Sequence, residues 1–284
     1  MSFADPLRTT ASALLPVRLA EAPLRRAVQL TVEACLYTAL SCALPLLLGL
    51  AQGGLISIFL VAAPLTDRLV VLLEENRSNI YALHLGSGMA NRRTAAGLLC
   101  LFGGIVLGYT AVAVWLGERG IAHLFAFAID AADLRGEDLV RRSFGDPLDT
   151  FAHNLRVALV VLCLGFVYRA YGGMLALAWN ACVWASVLTM LVLRVGPVGE
   201  LSRALLVASV LPHLGLEAGS YVLVALASIF TSKALATYDL RDARLWPPIR
   251  SSLNFAVLAA IGLALAALCE SWLLPGWVHA VAAK

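Results

Sequence analysis

The stretch LLVASVLPHLGLEAGSYVLVALASIF, residues 205–230, decides the fold class. It lies in an apolar run, 204–232, that is longer than the roughly 20 residues needed to cross the hydrocarbon layer of a bilayer. Inside it stand Pro212, His213 and Glu217. An ionised carboxylate at the centre of such a span costs on the order of 2.5–3.5 kcal/mol on insertion scales. A helix that keeps one is expected to turn it toward protein, protonated or paired, and not toward lipid.

The whole chain agrees with that stretch. Its 284 residues are 61% hydrophobic and 14% charged, with mean hydropathy +0.84. Soluble domains carry about 25% charged residues. The expected fold is therefore all-α, a polytopic transmembrane helical bundle. Its spans are expected at 28–50, 54–73, 94–116, 152–171, 174–194, 204–232 and 253–274. That makes seven, or six if 54–73, which contains Pro64, Asp67 and Arg68, lies flat at the interface. With seven spans and an inner N-terminus, twelve basic residues fall on the cytoplasmic side and seven outside. Dropping the second span evens the split, so the positive-inside rule favours seven.

The net charge of +3 is too small to point to nucleic acid. Six cysteines lie in apolar runs, without CxxC or metal-ligand spacing, and read as small buried hydrophobes. Residues 1–27 read as a cytoplasmic tail with Arg8, Arg18, Arg25 and Arg26. Residues 28–93 read as a helical pair with a cytoplasmic loop, and 94–284 as the main membrane domain. Within that domain, 117–150 forms a long outer segment with seven acids and four arginines. Ile121, Leu124, Phe125, Ala128 and Ile129 have helical spacing there, which predicts an amphipathic helix resting on the outer interface.

Polar side chains inside the spans are the candidate functional residues. His213 and Glu217 stand four apart and share a helix face, and Ser220, Ser228 and Thr231 continue the stripe. Pro212 is expected to kink the helix. Gly215 and Gly219 form a GxxxG step where another helix could approach. Gly165, Gly172 and Gly173 mark close packing or a tight cytoplasmic turn. Counted from the expected outer ends, Asn180 and Glu217 lie at nearly one depth, which predicts a hydrogen bond between them. His153 and Asn154 open the fourth span near the outer interface. His153, His213 and Glu217 could supply three metal ligands only if His153 reached inward. Glu74 and Glu75 superficially resemble a membrane-protease glutamate pair, but read better as a charge-paired helix end beside Arg77. Phosphate loops, nucleophile elbows and paired catalytic carboxylates are missing, so no catalytic residue, cofactor or metal is assigned.

FAHNLRVALVVLCLGFVYRAYGGMLALAWNA, 151–181, followed by LLVASVLPHLGLEAGSYVLVALASI resembles the stage II sporulation protein M family. Phe151, Asn154, Asn180, Pro212, His213 and Glu217 carry the resemblance, while Leu214 and Ala181 stand where the family commonly has glycine. The resemblance covers residues 150–232. It implies a multi-pass protein of the bacterial inner membrane, without enzymatic chemistry, that scaffolds an envelope complex. Its implied partners are the lipid bilayer and other membrane or envelope proteins, a homo-oligomer included. The runner-up is a transporter or channel component that uses Glu217 and His213 for a proton or ion. An intramembrane metalloenzyme is a third, weaker idea.

Overall fold

The computed structural model describes residues 23–81, 86–131, 147–194 and 200–282. Most of the expected tail, and the 132–146 half of the outer segment, lie outside the described residues. Seven α-helices follow in order: α1 Pro23–Leu47, α2 Gly54–Tyr81, α3 Ser87–Leu124, α4 Ala126–Ala131, α5 Pro147–Arg194, α6 Glu200–Thr237 and α7 Trp246–Ala282. The described residues contain no strand, and six of the helices are long and apolar enough to cross a membrane.

One of those six doubles back. A straight α5 of 48 residues would reach about 72 Å, more than twice the ~30 Å hydrocarbon thickness. At Arg169 its backbone leaves the helix, with φ 55° and ψ −129°. A Cβ placed on Gly172 would strike the Leu164 carbonyl, eight residues earlier. In a continuous helix those two residues stand about 12 Å apart. The chain thus turns tightly at Arg169, and two arms, 147–168 and 170–194, run antiparallel. Both arms lean on the end of α6: Gly165 approaches Ser228, and Gly173 faces Ile229. The apolar passes therefore number seven. We call the side where α1 begins proximal and the opposite side distal.

The second expected span does cross. α2 runs unbroken through Pro64, Asp67 and Arg68, and Ile58, Val61, Ala62, Leu65 and Leu69 are almost fully buried. α1 and α3 pack chiefly on each other, α3 also packs on α5, and α6 packs most extensively on α7. Small residues set these distances. A Cβ on Gly104 or Gly108 would run into α1 at Thr31, Ala34 or Thr38, and one on Gly262 of α7 would meet Ser220 of α6. Outward faces carry residues such as Leu36, Leu40, Leu44, Val167, Val257 and Ile261, all exposed. A belt of that kind needs an apolar solvent.

The outer segment departs from expectation. At Gly117 (φ 66°, ψ −177°), a conformation open to glycine almost alone, α3 breaks and the chain folds back over the distal end of the bundle. Ile121, Leu124, Phe125, Ala128 and Ile129 are buried in protein and do not rest on lipid. Phe125 stacks edge-on to Tyr109 at 5.9 Å, Phe127 packs on Trp179 at 5.1 Å, and Gln52 N–H donates to the His123 carbonyl. The helical spacing holds, but its apolar face caps the bundle. On the proximal side, Asp242 caps a 3₁₀ turn at Ala243–Leu245, and hydrogen bonds from Arg244 hold its carboxyl below the ordinary aspartate range.

Candidate functional site

The polar centre forms where the first arm of α5, α6 and α7 meet. Asn154 is one of two buried residues near the distal start of α5, seven residues and about 10 Å in from Pro147. Its Nδ2 donates to Glu217 Oε1 at 2.5 Å, and Tyr221 Oη donates to its Oδ1 at 3.3 Å. Glu217 and Tyr221 stand four apart on α6, so one amide side chain bridges two consecutive turns of its neighbour. Gly262 of α7 lies level with Ser220 and Leu216 of α6, so Glu270, eight residues further on, stands about 10 Å distal of Glu217 along the helix axis. Glu217, Asn154 and Tyr221 are buried at 6%, 6% and 2% exposure. Among the described residues, neither carboxyl is paired with a cationic side chain.

Asn180 is not the partner of Glu217. Trp184 of α5 stacks on Tyr221 at 6.1 Å and sets the register of the two helices. Glu217 lies one turn distal to that contact and Asn180 one turn proximal, so about two turns, ~12 Å, separate them. Asn180 Nδ2 instead donates to the carbonyl of Ala176, one turn back on its own helix. Counting from helix ends fails here because the distal ends of α5 and α6 are not level: even from their observed ends, Arg194 and Glu200, Asn180 and Glu217 fall within about 5 Å of one depth. His153, beside Asn154, is exposed and cannot join His213 and Glu217 around a metal. His213 is buried, but no ion pair joins it to Glu217.

The expected packing positions divide. Gly165 lies tight against Ser228, whereas a Cβ on Gly215 or Gly219 would meet nothing within 4 Å. The GxxxG step is therefore not a contact within this chain, and Ser220 against Gly262 makes the close approach instead. Pro212 is exposed, and α6 continues through it. Tyr221 and Glu270 were not among the expected site residues. The four-residue spacing from Glu217 was the available signal for Tyr221. For Glu270 there was none beyond its acidity in the last span.

A second set of charges links α1 and α2. Arg26 pairs with Glu75, and two turns deeper Arg68 pairs with Glu33, Nε to Oε2 at 3.0 Å. Gln29 donates to Glu33 from between them. The side chains line a shallow groove with Leu30, Val71 and Leu72. Glu74 is an exposed helix-end acid held by Arg77 and Lys233. Near the same proximal end Asn76 donates to Asn91 and Thr94 across α2 and α3.

Fold and centre together define a polytopic α-helical membrane protein with a carboxylate-bearing polar cluster inside its bundle. No protein-family model, no curated protein and no solved structure matches the chain.

Proposed function

We propose that this protein binds a proton or a monovalent cation at Glu217, with Glu270 on the distal approach to it, and passes it through the membrane, as a transporter or channel component. The observation behind this reading is Glu217 itself: a carboxyl buried between spans at 6% exposure, held by an amide, with no cationic side chain paired to it among the described residues. A buried carboxylate in a low-dielectric setting is costly unless a proton or a cation neutralises it. Glu217 therefore takes up a proton or a cation, and Asn154 fixes its geometry in either state. The centre sits in the distal part of the bundle, and the buried hydroxyls of Ser220, Ser228 and Ser232 continue along α6 toward the proximal side.

Proteoliposomes test it. The wild-type protein is expected to dissipate an imposed proton, sodium or potassium gradient faster than empty vesicles. Glu217→Gln and Glu270→Gln should each abolish the flux while the melting temperature stays within a few degrees. Wild-type vesicles no leakier than empty ones would remove the reading.

A second reading follows the resemblance to the stage II sporulation protein M family: a non-enzymatic scaffold of an envelope complex in a bacterial inner membrane. The Asn154 bridge favours it, since a double hydrogen bond between spans is also a means of holding a rigid platform. A scaffold would show no flux. It would keep its partner on co-purification in the Glu217→Gln protein and lose it when the distal segment 117–150 is altered.

A further inference from the structure

Asp67 raises a problem that the chain does not solve by itself. The apolar part of α2 runs over 54–73, and Asp67 lies six residues, about 9 Å, inside its proximal end. Its neighbour Arg68 turns inward to Glu33, but Asp67 is exposed, and among the described residues no cation pairs with it. A carboxylate facing acyl chains at that depth is costly. A partner of complementary charge would remove that cost.

The pattern around Asp67 indicates what. Leu60, Pro64, Asp67, Val71 and Glu74 follow a 4-3-4-3 spacing, the seam of a left-handed helix pair. Pro64 is half-buried and the other four are exposed, so the described residues leave most of the seam uncovered. In a parallel pair of identical helices, a side chain at the Asp67 position enters a hole formed by residues 64, 67, 68 and 71 of the facing helix. Position 68 is an arginine. Arg68 uses Nε and one terminal nitrogen on Glu33, and its other terminal nitrogen takes no part in those contacts. Each copy would therefore offer Asp67 to the other copy's Arg68, the self-complementary pattern a two-fold axis requires. Leu60 and Val71 would close the layers above and below.

We propose that the α2 face around Asp67 is a homodimer interface, in which two copies pack α2 against α2 in parallel and Asp67 of each meets Arg68 of the other. The interface lies on α1–α2, away from the carboxylate centre of α5–α7, and does not depend on the transport reading.

Stoichiometry and cross-linking of the full chain in lipid nanodiscs provide the test. Native mass spectrometry should find two copies per disc. In a Cys163→Ser background, Leu60→Cys and Val71→Cys should each give a disulfide-linked dimer on mild oxidation. Val257→Cys, on the outward face of α7, should not. Asp67→Arg should weaken dimerisation by about tenfold or more, roughly 1.4 kcal/mol per tenfold, and Asp67→Asn by less. Because Asp67 makes no ion pair in its own chain, neither variant should lower the melting temperature of the monomer. A monomeric wild type, cross-linking through position 257 in place of 60 and 71, or an Asp67→Arg protein that dimerises as tightly as wild type would each overturn the proposal.

Discussion

Asn154 joins the first arm of α5 to two successive turns of α6. Its amide spends a donor on Glu217 and an acceptor on Tyr221, both buried. Alanine there leaves an acid oxygen without its donor and a phenol without its acceptor. A buried polar atom left unsatisfied costs about 1–3 kcal/mol, so Asn154→Ala should lower unfolding free energy by that order in detergent denaturation. Asn154→Asp should cost more, because it sets a second carboxyl against that of Glu217. Asn180 is the natural control. Its amide answers a carbonyl of its own helix, an interaction a helix barely needs, so Asn180→Ala should cost under ~1 kcal/mol. Equal losses at the two positions would mean that the α5–α6 register described here is wrong.

The α5 hairpin depends on a conformation its sequence does not favour. With φ 55° and ψ −129°, Arg169 occupies the first corner of a type II′ turn, where glycine is at ease and a side chain is strained. Such a residue stores on the order of 1 kcal/mol or more, and persists when its surroundings fix it. Here the surroundings are specific. Ser232 of α6 donates to the Phe166 carbonyl on one arm, while Ile229 packs beside Gly173 on the other. Arg169→Gly should therefore raise stability by about 1 kcal/mol, seen as a higher midpoint in the same denaturation assay. The glycine's own unfolded-state entropy offsets part of the gain. A clear loss would mean that the arginine side chain holds the turn through contacts of its own.

At the scale of the molecule, hydropathy made the seven passes legible, because bilayer thickness fixes how many apolar residues each must have. Gly172 and Gly173 marked the tight turn in the same way. Lateral partners were harder to read. Hydropathy locates a residue along the membrane normal to within a few positions, but it carries little about which neighbour that residue meets. Hence Asn154, and not Asn180, reaches Glu217, Glu33 finds Arg68, and the apolar stripe of 121–129 faces protein. The doubled α5 also fixes sidedness, which can be measured. With seven passes, Arg169 and Leu240 share the proximal side, while Gln52 and Arg119 lie on the distal side; all four are exposed. Cysteines at these positions, in a Cys163→Ser background, should react in two groups with a membrane-impermeant maleimide. Intact cells should label 52 and 119, and inverted vesicles 169 and 240, if the proximal side is the cytoplasmic one that the basic residues favour. If α5 crossed only once, Arg169 would lie within the bilayer and escape labelling. The chain beyond it would be inverted, and Leu240 would label together with Gln52.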